Sequence, residues 1–276
     1  MRVIIVALVC VLLASCGTKF AYRNMDWFIL EYVDDFVDLT SDQDDILTLQ
    51  IEQLSDWHRA EELPLYVQHL DSLLSLAPQT LTQEDIAAHF KQIELHSERL
   101  LNRVAPDLYA LTQTLTDEQV EQLLESIAER HQEYRDKYKE LSDEEIHERY
   151  QERIGDKVET WIGRLSKEQK QIVEQWGDRF MISAYEWMAY QTTMHNEWQT
   201  VLERRDDLSY FQPNFQRLLF ESDRLFTPEL IEMIEHNRSV SEEHIVMIAK
   251  SMSDKQWKHF KKEVNKWKSV AEDLQQ

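Results

Sequence analysis

An apolar residue, a Ser or Thr, and then acidic or amide residues within the next three positions recur along this chain. The pattern reads Leu39-Thr40-x-x-Gln43, Leu81-Thr82-x-x-Asp85, Leu115-Thr116-x-x-Gln119, Leu141-Ser142-x-x-Glu145 and Leu165-Ser166-x-x-Gln169. It continues as Phe226-Thr227-Pro228-Glu229, Val240-Ser241-Glu242-Glu243 and Met252-Ser253-x-x-Gln256. This is the signature of a helix start: the hydroxyl accepts from an unpaired backbone N–H of the first turn, and the residue three positions on reaches back. Pro228 suits the first helical position, where its missing N–H costs nothing. Apolar residues at the fourth helical position (Ile86, Val120, Ile146, Ile231, Ile245, Trp257) would staple most of these starts to the preceding apolar residue.

Between the caps, apolar residues advance in steps of three and four, the helical period. Val120, Leu123, Ile127, Tyr134 and Tyr138 share one face, and Val173, Trp176, Phe180, Ala184, Trp187, Met194, Trp198 and Val201 track another. The pattern predicts helices over 21–38, 41–77, 83–114, 117–140, 143–153, 156–164, 167–205, 213–222, 228–237, 242–251 and 254–273. Pro64 should bend the second and Pro106 the third. The expected fold is all-α, a multi-helix bundle with one or two long helices and no sheet. Residues 16–276 read as a single helical domain, with 205–213 as the one place for a subdivision.

Composition sharpens this picture. Only 4 Gly and 5 Pro occur in 276 residues, too few turn formers for a many-stranded sandwich or barrel. They are also too few for glycine-built phosphate cradles or nucleophile elbows. With 52 acidic against 30 basic residues the net charge is −22, which argues against nucleic acid as a partner and against lying flat on an anionic lipid surface.

The first residues read as an address. Val3 to Ala14 is an unbroken apolar run, about 18 Å long as a helix and too short to span a bilayer. It has the proportions of a signal-peptide core and ends in Leu13-Ala14-Ser15-Cys16-Gly17, which resembles a bacterial lipobox. The resemblance implies cleavage of residues 1–15, diacylglycerol on the Cys16 sulfur and a fatty acyl group (palmitate) on its new amine. Gly17 after the Cys implies sorting to the outer membrane, with the body facing the periplasm. Cys10 would leave with the signal, so no free thiol would remain for disulfides, metal or catalysis.

The segment Tyr22-Arg23-Asn24-Met25-Asp26-Trp27, then Tyr32-Val33-Asp34-Asp35-Phe36, then Trp57-His58-Arg59-Ala60-Glu61-Glu62-Leu63-Pro64, resembles an uncharacterised family of Gram-negative lipoproteins whose domain has no known function. The family carries no assigned activity, so the resemblance implies no catalytic residue. A looser likeness, carried by Leu39-Thr40-x-x-Gln43 and Leu115-Thr116-x-x-Gln119, is to periplasmic helical chaperones marked by Leu-Thr-x-x-Gln pairs.

Four groups of residues could carry chemistry. His58 and Glu62, one helical turn apart with Arg59 and Glu61 beside them, suit an acid–base pair or half a metal site. A zinc would need a further ligand, and no Cys or His-x-x-x-His partner exists, so neither a metal nor another cofactor is expected. His89 and His96 share a face with Ile93 and Leu100 but lie about 10.5 Å apart along the axis, too far to grip one ion, and read as core histidines. Trp176, Trp187 and Trp198 repeat every eleven residues and read as a buried seam or an aromatic-lined groove. Asp34 and Asp35 could pair their carboxylates, although adjacent helical residues point about 100° apart. No Ser-His-Asp arrangement, zinc-protease motif or dinucleotide fingerprint occurs, so a non-enzymatic reading leads. The expectation is a periplasmic lipoprotein held to the membrane by its lipid, binding or scaffolding an unidentified envelope protein or peptide. The alternatives are a chaperone with an aromatic groove and an envelope hydrolase or metal-dependent enzyme.

Overall fold

The computed structural model describes Tyr22 and residues 24–275. The lipidation site Cys16 and the leader lie outside the described residues. The chain forms α1 (Met25–Asp34), α2 (Ser41–Trp57), a π turn (His58–Glu62), α3 (Leu63–Leu74), α4 (Gln83–Thr114) and α5 (Asp117–Tyr138). It continues as α6 (Asp143–Ile162), α7 (Lys167–Arg179), α8 (Ala184–Glu203), α9 (Leu208–Phe220), a 3-10 turn (Ser222–Leu225), α10 (Pro228–Ser251) and α11 (Asp254–Leu274). No strand occurs among the described residues, so the fold is an all-α bundle.

The helix starts follow the sequence closely. Thr40, Thr82, Thr116, Ser142, Ser166 and Ser253 each make a complete capping box, and Thr227 accepts from Leu230 N–H. Ser241 is the exception. It lies inside α10, its hydroxyl donating back to Asn237 C=O at 2.7 Å, so the two helices expected over 228–251 are one. Gly155 likewise fails to divide α6, because the helix runs through it from Asp143 to Ile162.

The long helix expected over 167–205 is interrupted after Arg179, and the reason is tertiary. Three side chains meet the carbonyls at its end: His147 Nδ1 bonds Gly177 C=O at 2.9 Å, and His236 Nε2 bonds Arg179 C=O at 2.8 Å. Asn237 pairs with both backbone groups of Met181, accepting from its N–H at 2.8 Å and donating to its C=O at 2.9 Å. These bonds satisfy the orphaned carbonyls and hold an extended connection where the helix would otherwise continue. Gly177 permits the close approach of α6, since a Cβ there would come within 2.9 Å of Gln151 backbone N.

The capping glutamines also clasp corners together. Gln43 and Gln119 exchange amide hydrogen bonds, 3.1 Å in one direction and 2.7 Å in the other. Each carbonyl oxygen also receives its own cap N–H (Thr40 at 2.8 Å, Thr116 at 2.9 Å). Each remaining N–H reaches a backbone carbonyl of the opposite corner, Thr114 at 3.0 Å and Asp38 at 2.8 Å. Both donors and both acceptor positions of each amide are thereby used. Gln169 and Gln256 repeat the arrangement, with 3.2 Å and 2.8 Å between the amides, and Gln169 is fully buried.

Packing follows from these corners. The largest buried cluster gathers Phe211, Phe215 and Leu218 of α9 against Leu101 and Ala105 of α4, Val120 and Leu124 of α5, and Val201 of α8. The 32-residue α4, about 48 Å long, also packs at its start, where Ile86 meets Val246 and Ala249 of α10. The segment after α8 is tied to the start of α5 by buried Arg205, which donates to Leu115 C=O at 2.9 Å and pairs with Asp117. Replacing Gln169 or Gln256 by Ala should each cost about 1–2 kcal/mol, because a buried amide loses its partner. In a double-mutant cycle read by urea denaturation the pair should couple by more than about 0.5 kcal/mol; additive losses would show that the clasp contributes nothing as a unit.

Candidate functional site: a buried carboxylate and a chain of imidazoles

Pro64 cannot donate to Ala60 C=O, and its ring would clash there. The chain relieves this by widening one turn rather than kinking. Leu63 N–H reaches back five residues to His58 C=O, which makes 58–62 a π turn inserted between α2 and α3. Glu62 emerges on the inside with no exposed surface, while Glu61 beside it faces solvent.

Burying a carboxylate is costly unless it is paired and hydrogen-bonded, and α4 supplies the partners. Arg99 grips Glu62 with both prongs, Nε to Oε2 at 2.8 Å and Nη2 to Oε1 at 2.9 Å. His96 Nδ1 lies 2.5 Å from Oε1. Burial alone would raise the Glu62 pKa, but the Arg99 and His96 hydrogen bonds outweigh it and hold the carboxyl below its ordinary range. Glu62 is therefore an anion.

A fixed anion bears on the proton positions beyond it. His96 Nδ1 is claimed from two sides, since Oε1 can only accept and Arg99 Nη2, 2.6 Å from the same nitrogen, can only donate; a proton on Nδ1 serves the anion and leaves Nε2 as an acceptor. His69 Nδ1 is 3.3 Å from that Nε2, and His89 Nδ1 is 3.0 Å from His69 Nε2. The rings of His69 stack on both neighbours at about parallel angles, 14° to His89 and 24° to His96. The result is a chain of contacts, Glu62 to His96 to His69 to His89, running outward from the interior; with His96 protonated on Nδ1, each Nδ1–H donates inward. A proton received at His89 Nε2 could be passed along by reversing each tautomer in turn. His58 flanks the chain: it packs edge-on to Tyr66, which itself packs edge-on to His96, and its Nδ1 is 2.9 Å from Tyr22 OH.

Burial holds all four imidazoles in the neutral form. It lowers His58 and His69 to about 4, the first against the attraction of Glu62 and the second aided by His89 and His96. Burial also lowers His89, opposed by Asp85, and His96, opposed by Glu62.

The residues singled out in the sequence are partly brought together. His58 and Glu62 belong to one site, and so does His96. Arg59 turns outward to pair with Asp56 on the surface. Asp34 and Asp35 lie at the far end of α1: exposed Asp35 pairs with Arg130 at 3.0 Å, and Asp34 faces Asp44, whose carboxyl burial and like charge push up. Ile93, grouped by spacing with His89 and His96, is exposed. Trp176, Trp187 and Trp198 do not form one stripe, because α7 ends between the first and the second. Trp176 stacks on His244, Trp187 packs edge-on to Tyr190 and Phe226, and Trp198 packs on Phe215. Sequence reasoning missed His69 and Arg99. Their signal was available in hindsight: His89, His96 and Arg99 fall at steps of seven and three on one face of α4, and His69 follows His58 by eleven, both multiples close to whole turns.

Among the described residues no group of three or more His, Cys, Asp or Glu is placed to hold a metal ion. The two ring nitrogens of His69 face different imidazoles, so the histidines meet in pairs and do not converge on a point. The arrangement can hold a proton or move one; it offers no preformed nucleophile.

A histidine buried as the neutral form has a lower pKa folded than unfolded (~6.5), so its contribution to stability is intact above pH ~6.5 and lost as pH falls toward its folded value. The urea midpoint should therefore decline between pH 6.5 and 5, above the range where exposed carboxylates titrate, and His69→Gln should flatten that decline. A midpoint independent of pH in this window would contradict the burial of neutral imidazoles.

A sequence profile described as a family of unknown function (DUF6279) matches residues 35–231, a span that contains Glu62, His69, His89, His96 and Arg99. No curated protein and no solved structure matches the chain. The chain belongs to the DUF6279 family.

Proposed function

We propose that the protein is an outer-membrane-anchored periplasmic lipoprotein that binds or scaffolds other envelope components and does not catalyse a reaction. The observation that carries this reading is Leu13-Ala14-Ser15-Cys16-Gly17 at the end of a short apolar run. Three acyl chains, at ~0.8 kcal/mol per buried CH₂, hold a protein at a membrane far more firmly than one. With Met25 opening the first described helix, few residues separate the acidic body from that surface. No helix among the described residues is long and apolar enough to cross a membrane, so attachment would rest on the lipid. The chemistry of Glu62 also favours a positioning role: both of its oxygens are committed to Arg99 and His96, and none is left to serve a substrate.

A chaperone-like role is a second reading, and one observation favours it. The two Leu-Thr-x-x-Gln motifs, Leu39 to Gln43 and Leu115 to Gln119, are the same two that clasp each other through their glutamines.

Intact-mass analysis of the protein purified from membranes tests the leading reading. A polypeptide beginning at Cys16 and carrying diacylglycerol and an amide-linked acyl group is expected, with Cys16→Ser abolishing membrane retention. A bare thiol at Cys16, or the leader still attached, would overturn it.

A further inference from the structure

Half of the chain's Lys residues, seven of 14, fall between positions 250 and 268, with Asp254 and Glu263 the two acids among them. In α11 they advance in steps of three and four. Lys255, Lys258, Lys262 and Lys266 are exposed and lie within about 80° of one another around the axis, opposite the buried Val264 and Ala271. Of the others, Lys268 pairs with Asp71 at 2.6 Å, and Lys261 lies 5.8 Å from the centre of the Trp257 ring. Glu263 is 3.8 Å from Lys266, whereas Lys255, Lys258 and Lys262 have no carboxylate within ion-pair distance among the described residues.

Within the bundle this stripe is unfavourable. Like charges three and four apart on one helix face repel. Lys255 stands in the first turn of α11, at the positive end of the helix dipole, and the last turn holds no base. Other starts are built the opposite way, α5 with Asp117 and Glu118 and α6 with three acids in its first turn. The stretch also contains no Arg. Gripping one phosphate or carboxylate suits the guanidinium fork, while flexible, hydrated ammonium groups suit a diffuse field of anions. A cluster of this size on an amphipathic helix matches an anionic lipid surface.

The anchor would hold such a surface nearby. Tyr22 bonds His58 at 2.9 Å and is six residues from Cys16, a reach of about 20 Å. The π turn holding His58 leads into α3, and α11 runs antiparallel along α3, with Lys268 against Asp71 and Lys250 C=O against Gln79. The net charge of −22 repels anionic lipid overall, but screening over ~8 Å at physiological salt leaves the decision to the contacting face.

We propose that the Lys face of α11 rests on the anionic phospholipid headgroups of the membrane that holds the anchor. This relies on the anchoring reading for the nearness of the lipid and deepens it by naming the face and the lipid class.

The test acetylates the full chain briefly in the presence of vesicles and maps modified Lys residues by mass spectrometry. Vesicles of phosphatidylcholine alone are compared with phosphatidylcholine and phosphatidylglycerol at about seven to three, and Lys255, Lys258 and Lys262 should react roughly fivefold less with the second. Exposed Lys137 of α5 should react equally with both, and high salt should remove the protection. Lys255→Gln, Lys262→Gln, which touches only exposed positions, should weaken the protection of Lys258. Equal reactivity of the stripe with both vesicles, protection that survives high salt, or stronger protection by duplex DNA or poly-glutamate at equal charge would overturn the proposal. Flotation with neutral vesicles in high salt, where only an acyl chain can hold the protein, reads the anchor separately. A chain that floats there while its stripe stays reactive refutes the Lys face alone; one that fails to float refutes the anchor.

Discussion

A carboxylate with no contact with water must be matched on every side, and meeting that demand at Glu62 organises this end of the molecule. The π turn at 58–62 brings the side chain inside, Arg99 neutralises it bidentately, and His96 takes the remaining position. Removing one partner from such a pair typically costs 3–5 kcal/mol, because the other charge is left buried alone. The link therefore fixes the register of α4 against the junction of α2 and α3. Glu62 Oε1 and Arg99 Nη2 also meet at His96 Nδ1, and which of them that nitrogen serves decides the direction of the hydrogen bonds at His69 and His89.

The corners of the bundle are held by a different device. Capping glutamines do two things at once: each closes its own helix start and bonds the amide of another start and the backbone beside it. Since the same side chain defines where a helix begins and which corner it touches, local and tertiary structure agree at these points. Such agreement is what gives a sequence one preferred fold. The −22 charge is compatible with it because the acidic residues cluster in first turns, where they suit the helix dipole, and on exposed faces.

Legibility in the sequence tracks how local the deciding interaction is. Helix starts were readable because Thr40, Thr82, Thr116, Ser142, Ser166 and Ser253 need only residues three positions away. The end of α7 was not, because His147, His236 and Asn237 lie 30 to 57 residues from the carbonyls and N–H they meet. The Ser241 pattern has the letters of a cap, yet its apolar neighbour Val240 and the following His244 are buried in mid-helix, and packing wins over local capping. The site shows the same division. His58 and Glu62 were visible as a pair one turn apart, whereas Arg99 is 37 residues from Glu62 and His69 is 20 from His89. Pro64 signalled a bend; that it would be relieved by a π turn, and that the turn would bring Glu62 into the core, depends on α4 being there to receive it.

The most direct measurement is the protonation and tautomeric state of the chain's imidazoles, by long-range ¹H–¹⁵N correlation spectra at neutral pH. With Glu62 rather than Arg99 served by His96 Nδ1, neutral rings are expected for His96, His69 and His89, each protonated on Nδ1. An Nε2-protonated His96, or an imidazolium there, would mean that Glu62 does not set the polarity of the chain, and the site would have to be reinterpreted from its first bond.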